Sequence, residues 1–110
     1  MRLAALCACL LAACAPHSPE AQRGKALIQA YGCGSCHAIP GVRAADGRVG
    51  PPLDAFAQRT YIAGQLPNTP QNLARWIEDP PAIEPRTAMP RLGLDAAQAR
   101  DVAAYLYTLR

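Results

Sequence analysis

The last third of the chain carries two runs of apolar residues at helical spacing. The first run falls at positions i, i+3 and i+4 and consists of Leu73, Trp76 and Ile77. It predicts a short helix over residues 70–78 with one apolar face. The second run is a stripe of Ala99, Val102, Ala103, Leu106 and Leu109. Asp95, with Gln98 three residues later, is typical of a capping box, so this run predicts a helix within residues 94–110.

A third helix is predicted over residues 19–31. Ser18 is suited to the N-cap, Pro19 to the first helical position, and Gly32 to a left-handed helix end. Gly24 lies inside this helix, where glycine costs about 1 kcal/mol relative to alanine. A glycine at that position indicates that another helix crosses closely over it.

The beginning of the chain has the pattern of a signal for export. Arg2 is followed by an apolar run of eleven residues, Leu3–Ala13, which is too short to span a bilayer. The run ends in Leu11-Ala12-Ala13-Cys14, which resembles the lipobox of bacterial lipoproteins. An ordinary secretory signal that happens to contain a cysteine is the alternative.

We therefore predict three parts. Residues 1–13 form a lipoprotein-type signal peptide, residues 14–20 a tether lipidated at Cys14, and residues 21–110 a single domain. The lipid would hold the protein at the cell membrane, facing the periplasm or the cell exterior.

The composition of the chain suits a domain built around a cofactor. Of its 110 residues 51% are hydrophobic, but these include only one Trp, four Tyr and one Phe, and eleven residues are proline. A mature chain of about 97 residues with this composition has a thin core of its own, which a buried cofactor would fill. The net charge of +3 is modest and is not clustered as nucleic-acid binding requires.

The segment Cys33-Gly34-Ser35-Cys36-His37 has the attachment signature of c-type haem. Both thiols can add to the vinyl groups along one porphyrin edge, and the imidazole that follows can ligate the iron. The alternatives are a redox dithiol, half a zinc site or a disulfide. A zinc site needs a second ligand pair, and beyond the signal peptide the other Cys and His are Cys14 and His17. We predict one haem c, bound covalently through Cys33 and Cys36.

A haem iron with one histidine needs a second axial ligand or an open site. The candidates beyond the signal peptide are Met89, His17 and Lys25. Met89 lies in the segment 83–90, which has prolines near both ends and no helical period, unlike a methionine of a helical core. We predict Met89 as the ligand and expect His17 to be solvated. Ligation by His37 and Met89 would raise the potential and leave no vacancy, which favours electron transfer over catalysis.

Residues 24–109 resemble a class I cytochrome c. The resemblance rests on the haem motif, on Gly50-Pro51-Pro52-Leu53, and on Met89 nine residues past Pro80. It implies an all-α fold of three to five helices wrapped around one covalent haem. In this family a glycine and a bulky apolar residue of the first helix pack against an aromatic residue of the last. The residues that fit these places are Gly24, Ile28 and Tyr105.

The resemblance also implies roles for residues around the haem. The Pro51 carbonyl would accept the Nδ1 hydrogen of His37 and orient the ring, although a plain rigid turn is the alternative. Trp76 would pack against the haem plane near the sixth ligand. The residues that would meet the propionates are Arg59 and Thr87, with Tyr61 and Asn68 as further candidates. Arg59 could instead be a surface arginine, and Tyr107 is expected to be exposed.

The resemblance implies a monomeric carrier of single electrons, not an enzyme, in a membrane-associated respiratory chain. Its partners would be redox proteins, namely a respiratory oxidase, a bc-type complex or a dehydrogenase. Residues 61–68 resemble cytochrome domains attached to haem-copper oxidases, so a fixed electron-entry subunit of an oxidase or dehydrogenase complex is an alternative. A haem sensor or peroxidase with a labile Met89 is another. The arginines expected to ring the exposed haem edge and attract an acidic partner are Arg43, Arg48, Arg86 and Arg91.

Overall fold

The computed structural model describes residues 17–110, and in that part of the chain the fold is dominated by four α-helices. The helices are α1 (Pro19–Ala30), α2 (Pro70–Glu78), α3 (Pro80–Ile83) and α4 (Ala96–Leu106). A small antiparallel hairpin pairs β1 (Tyr61–Ile62) with β2 (Leu66–Pro67). Two single 3₁₀ turns, Cys33–Ser35 and Phe56–Gln58, complete the regular structure. The expected all-α architecture of three to five helices is therefore observed.

Three predictions about the N-terminus lie outside the described residues. They are the signal peptide over 1–13, the lipidation of Cys14, and residues 14–16 of the tether. Within residues 17–110, no helix combines the length and the apolar character needed to cross a membrane.

Helix α1 begins and ends close to the predicted residues. The Ser18 hydroxyl accepts the backbone N–H of Ala21 at 3.1 Å, which satisfies one of the donors left free in the first turn. Gly32 has a φ of +70°, so the chain leaves the helix through the left-handed conformation that glycine adopts without strain. The turn at Gly32 directs the chain straight into Cys33–Ser35.

Helices α1 and α4 cross closely at Gly24. A Cβ atom at Gly24 would overlap the carbonyl oxygen of Asp101 and lie 3.0 Å from Cα of Val102. Arg23 pairs with Asp101 beside the crossing, with its Nε 3.0 Å from Oδ2. Ile28 and Tyr105 are each 1% exposed, as the family resemblance implies for residues that pack the two helices together. The predicted close crossing is therefore confirmed.

Helix α2 supplies a buried face and ends at Glu78 as predicted. The Thr69 hydroxyl caps it by accepting the N–H of Asn72 at 3.2 Å. Its buried residues are Leu73, Ala74, Trp76 and Ile77. Pro80 and Pro81 end α2, but they also begin the short helix α3, which the sequence did not predict because proline is read mainly as a helix stop.

Helix α4 begins with the predicted capping box. Asp95 Oδ1 accepts the N–H of Gln98 at 2.7 Å, and Gln98 Oε1 accepts the N–H of Asp95 at 2.9 Å. The helix ends at Leu106, earlier than residue 110. The segment after it folds back on the core, where the Leu109 carbonyl accepts the N–H of Ala57 at 2.9 Å.

The expectation that Tyr107 is exposed is wrong. Tyr107 is half-buried, its ring meets Phe56 edge-on at 6.1 Å between centroids, and its hydroxyl donates to Asn68 Oδ1 at 2.7 Å. Burial raises the pKa of the Tyr107 hydroxyl. Asn68 Nδ2 in turn donates to the carbonyls of Phe56 and Arg59 at 3.2 and 2.9 Å. Both Asn68 hydrogens are used inside the protein, so Asn68 does not fit the expected role of donor to a propionate.

The expectation that His17 is solvated is also wrong. Its ring is half-buried and meets the Tyr105 ring edge-on, with the centroids 5.5 Å apart and the planes at 82°. Gln22 Nε2 donates to the His17 carbonyl at 2.9 Å and holds the residue beside α1. The residue before the first helix therefore packs on the tyrosine of the last helix.

Candidate functional site

A cavity of about 440 Å³ brings together the sequence-predicted site residues. Cys33, Cys36 and His37 line it from the segment that follows α1. The other predicted site residues in its lining are Pro51, Arg59, Trp76, Thr87 and Met89. Of the three candidates for the second axial ligand, Met89 lines this cavity, whereas His17 and Lys25 are not in its lining. The structure therefore places the proposed axial ligands in one space.

The haem motif folds as a tight turn that presents both thiols. The backbone N–H groups of Cys36 and His37 both donate to the Cys33 carbonyl, at 3.2 and 3.1 Å. Both cysteines are half-buried and free. Burial raises the pKa of the Cys33 thiol, and the neighbouring Cys36 adds to this effect.

The orientation of His37 is set by Pro51. His37 Nδ1 lies 2.7 Å from the Pro51 carbonyl oxygen, which can only accept a hydrogen bond. The proton must therefore reside on Nδ1, and Nε2 keeps the lone pair that an iron ion needs. Pro51 lies in the place that the family resemblance assigned to it.

Gly50 is a site residue that sequence reasoning did not single out. A Cβ atom there would overlap Cε1 of His37 and lie 2.8 Å from its Nδ1. The Gly50 N–H also donates to the Cys36 carbonyl at 2.8 Å. Glycine is needed because the backbone passes directly against the imidazole ring. The sequence does contain an indication of this role, because Gly50 directly precedes Pro51, the expected partner of His37.

We predict that Gly50→Ala weakens ligation by His37. The added methyl group would push the ring away from Pro51, so the ferric protein should show a mixed coordination spectrum and a lowered midpoint of thermal unfolding. Visible spectra recorded across a thermal melt would measure both effects. Gly64→Ala is the control because Gly64 has a φ of +67° and no atom within 4 Å of an added Cβ. That variant should lose about 1 kcal/mol of stability from backbone strain and keep the normal spectrum. Equal spectra for the two variants would contradict the prediction.

Met89 lies in the cavity wall, and hydrogen bonds within the segment 84–89 fix its backbone. The Met89 N–H donates to Oγ1 of Thr87 at 3.1 Å, and the Thr87 N–H donates to the Glu84 carbonyl at 3.0 Å. The Thr87 hydroxyl acts here as an acceptor, so its own hydrogen is still free for a haem propionate. The loop therefore has a defined local structure although it contains no helix or strand.

Arg59 and Trp76 complete the wall beside the ligands. An Nη atom of Arg59 donates to the Pro52 carbonyl, and Cζ lies 5.4 Å from the centroid of the Phe56 ring. These contacts hold the guanidinium at the cavity, where it could pair with a haem propionate. Trp76 is 8% exposed and lines the cavity from α2. The hairpin contributes Ile62 and Ala63 to the lining, whereas Tyr61 is 60% exposed and lies outside it.

The residues of the cavity fit a covalently bound haem. They combine two free thiols, an imidazole with Nε2 available and a thioether, which are the groups that a c-type haem requires. The apolar side chains that would contact the macrocycle include Leu53, Phe56, Ile62, Leu73 and Leu106. Residues 17–110 contain no group of three or more His, Cys, Asp or Glu side chains arranged to hold a metal ion.

Comparison with known proteins agrees with this geometry. Residues 21–110 match the family model described as Cytochrome c. The chain is 31% identical over 96 residues to cytochrome c oxidase subunit 2 of Alkalihalophilus pseudofirmus, covering 86% of this chain and 27% of the relative. It is 35% identical over 74 residues to cytochrome c oxidase subunit 2 of Bacillus subtilis, covering 66% of this chain and 21% of the relative. The chain thus spans about a quarter or less of the length of these relatives.

The resemblance inferred from the sequence is confirmed by these matches. The matched region includes the haem motif, the cavity and all four helices except the first two residues of α1. Membership of this family implies a covalently attached haem c. The chain belongs to the cytochrome c family and has the all-α class I fold, and membership of this family implies electron transfer.

Proposed function

We propose that this protein carries single electrons through one haem c, attached through Cys33 and Cys36 and ligated by His37 and Met89. The observation that carries the proposal is that His37 and Met89 line one cavity, while Nδ1 of His37 lies 2.7 Å from the Pro51 carbonyl oxygen that accepts its hydrogen. When bound, the haem supplies a one-electron couple whose potential depends on its axial ligands and on burial.

The residues of the chain would orient and shield this group. Pro51 fixes the His37 ring, Thr87 holds the backbone at Met89, and apolar side chains exclude water from the cavity. Two protein ligands would occupy both axial positions and leave no site for a substrate. This arrangement favours an electron carrier over an enzyme.

A respiratory oxidase is the partner that the comparisons favour. Both relatives described above are named as oxidase subunits, which supports electron delivery to such a complex. A fixed electron-entry subunit is therefore a second candidate beside a mobile carrier. Purification from membranes in mild detergent distinguishes them, since a fixed subunit would co-elute with oxidase subunits in constant ratio. The proposed acyl anchor at Cys14 would hold either form at the membrane, and mass spectrometry of the N-terminal peptide tests it.

Visible spectroscopy tests the function itself. The reduced protein should show the sharp α band of a c-type haem. The haem should stay attached to the protein during acid-acetone extraction, because its bonds to Cys33 and Cys36 are covalent. The ferrous protein should also resist carbon monoxide at neutral pH because Met89 occupies the sixth position. Rapid binding of carbon monoxide would instead support the sensor or peroxidase alternative.

We infer that the exposed apolar residues of the cavity lining belong to a docking surface for a redox partner. Val49 and Leu92, which line the cavity, are 73% and 37% exposed. Arg48 precedes Val49 in the chain, and Arg86 precedes the cavity residue Thr87; both arginines are exposed. Exposed apolar residues with exposed arginines adjacent in the chain suit a partner with an acidic, partly apolar face.

We predict that Arg48→Glu combined with Arg86→Glu slows electron transfer to a membrane-bound cytochrome oxidase. The rate at low ionic strength should fall about tenfold, and the difference should shrink as salt screens the charges. Stopped-flow oxidation of the reduced protein measures this. The control is Arg100→Glu with Arg110→Glu, which changes the net charge equally at exposed positions outside the cavity lining. An equal loss in the control pair would show that net charge, and not this surface, determines the rate.

A further inference from the structure

The carboxylate of Glu84 joins two walls of the cavity. Glu84 follows the last residue of α3, and its N–H donates to the Pro80 carbonyl at 3.0 Å. Its Oε1 accepts the backbone N–H of Arg86 at 3.0 Å, and its Oε2 accepts Nε2 of Gln65 at 3.0 Å. Gln65 lies in the turn of the β1–β2 hairpin, whose residue Ile62 lines the cavity. One side chain therefore connects the hairpin to residues 85–90, which we call the Met89 loop.

Glu84 is also the main acceptor within the Met89 loop. Three backbone N–H groups of the loop between Pro85 and Pro90 donate hydrogen bonds, those of Arg86, Thr87 and Met89. Two of these end on Glu84, from Arg86 to the carboxylate and from Thr87 to the carbonyl, and the third runs from Met89 to Thr87. These hydrogen bonds therefore link Glu84 through Thr87 to Met89.

The strength of the hydrogen bonds to Glu84 matters because the Met89 loop has no helical or sheet hydrogen bonds of its own. Segments without helix or strand open locally at low free-energy cost, and each opening would carry Met89 away from the cavity. Hydrogen bonds to an ionised carboxylate are stronger than those between neutral groups. An ionised group that accepts from both the loop and the hairpin is well suited to limit such openings.

We propose that Glu84 is a positioning residue that sets how firmly Met89 holds the sixth axial position. The inference rests on the proposed ligation by Met89 and adds to it the group that controls its strength. Glu84 would act through the loop backbone, with Gln65 supplying the second anchor on the hairpin.

The test is the rate at which the ferrous, haem-loaded protein binds carbon monoxide. Glu84→Ala should raise this rate about tenfold, because it removes two hydrogen bonds to a charged group and so populates the methionine-dissociated form. Gln65→Ala removes the hairpin anchor alone and should raise the rate about threefold. Glu84→Gln retains an oxygen for the Arg86 N–H but loses the charge and the acceptor for Nε2 of Gln65, so its rate should rise about threefold, as in Gln65→Ala. The visible methionine-to-iron band should weaken in the same order.

A matched variant separates positioning from charge and from general stability. Glu20→Ala removes the same charge at an exposed position in α1 and should leave the carbon monoxide rate unchanged. A Glu84→Ala protein that loses stability in denaturant but keeps the original rate would overturn the inference, since Glu84 would then be structural only. If Glu84→Ala does not fold, an unchanged rate in Gln65→Ala would overturn the hairpin anchor. Rapid binding in the unsubstituted protein would refute ligation by Met89 itself, which is a separate outcome.

Discussion

Met89→Ala is expected to turn a carbon-monoxide-resistant protein into one that binds the gas about a hundredfold faster. The sixth position would then be open at all times, whereas a closed protein exposes it only in a minor state populated at about 1%. Met89 is half-buried in the cavity wall, and the loop bond to Thr87 uses only its backbone N–H. The substitution should therefore remove the ligand and leave the loop in place.

Stopped-flow mixing of the reduced protein with carbon monoxide measures this change. The reduction potential should fall at the same time, because the thioether favours ferrous iron more than water does. Leu92→Ala is the control, since Leu92 lines the same cavity and carries no donor atom. If Met89→Ala still resists carbon monoxide, another side chain closes the site and the proposed ligation is refuted.

Gly24→Ala is expected to lower the free energy of unfolding by about 3 kcal/mol. The methyl group would overlap the backbone carbonyl of Asp101, which cannot rotate away as a side chain would. Helix α4 would have to shift as a unit, disturbing the core in which Ile28 and Tyr105 are buried. Alanine is the better helix former by about 1 kcal/mol, but this gain is smaller than the cost of separating two packed helices.

Guanidinium unfolding of the haem-loaded ferric protein measures the loss. Ala26→Gly is the matched control because Ala26 lies in the same helix and is exposed. It should cost about 1 kcal/mol through helix propensity alone. If the two helices did not cross at Gly24, Gly24→Ala would raise the free energy of unfolding, whereas Ala26→Gly would still lower it. A stabilised Gly24→Ala protein would therefore contradict the prediction.

Local sequence patterns predicted most of the regular structure. The caps at Ser18, Thr69 and Asp95 act over three residues, so their spacing in the chain already determines the hydrogen bond. Gly24 was informative for the opposite reason: an unfavourable residue inside a helix needs a compensating contact, and α4 supplies it. The short helix α3 escaped prediction because its two prolines serve both to end α2 and to begin the next turn.

The family pattern placed the cavity residues well but assigned some polar side chains incorrectly. Asn68 does not face the cavity as a free donor, because it bonds to Tyr107, 39 positions away, and to two backbone carbonyls. The expectation that His17 is solvated followed from its place in the predicted tether, and it is wrong because the ring packs on Tyr105, 88 positions later in the chain. A polar residue has several possible partners, and only the packed chain decides which of them comes within reach.

The sequence by itself determined the haem motif and the order of the helices, since these depend on covalent spacing and on bonds between near neighbours. The tertiary structure decided how the ligands are held. Gly50 must lack a side chain because folding brings its backbone against the His37 ring. Glu84 links the Met89 loop to the hairpin only because Gln65, 19 positions earlier, lies within 3.0 Å. Such contacts depend on distances between remote segments, which no local pattern encodes.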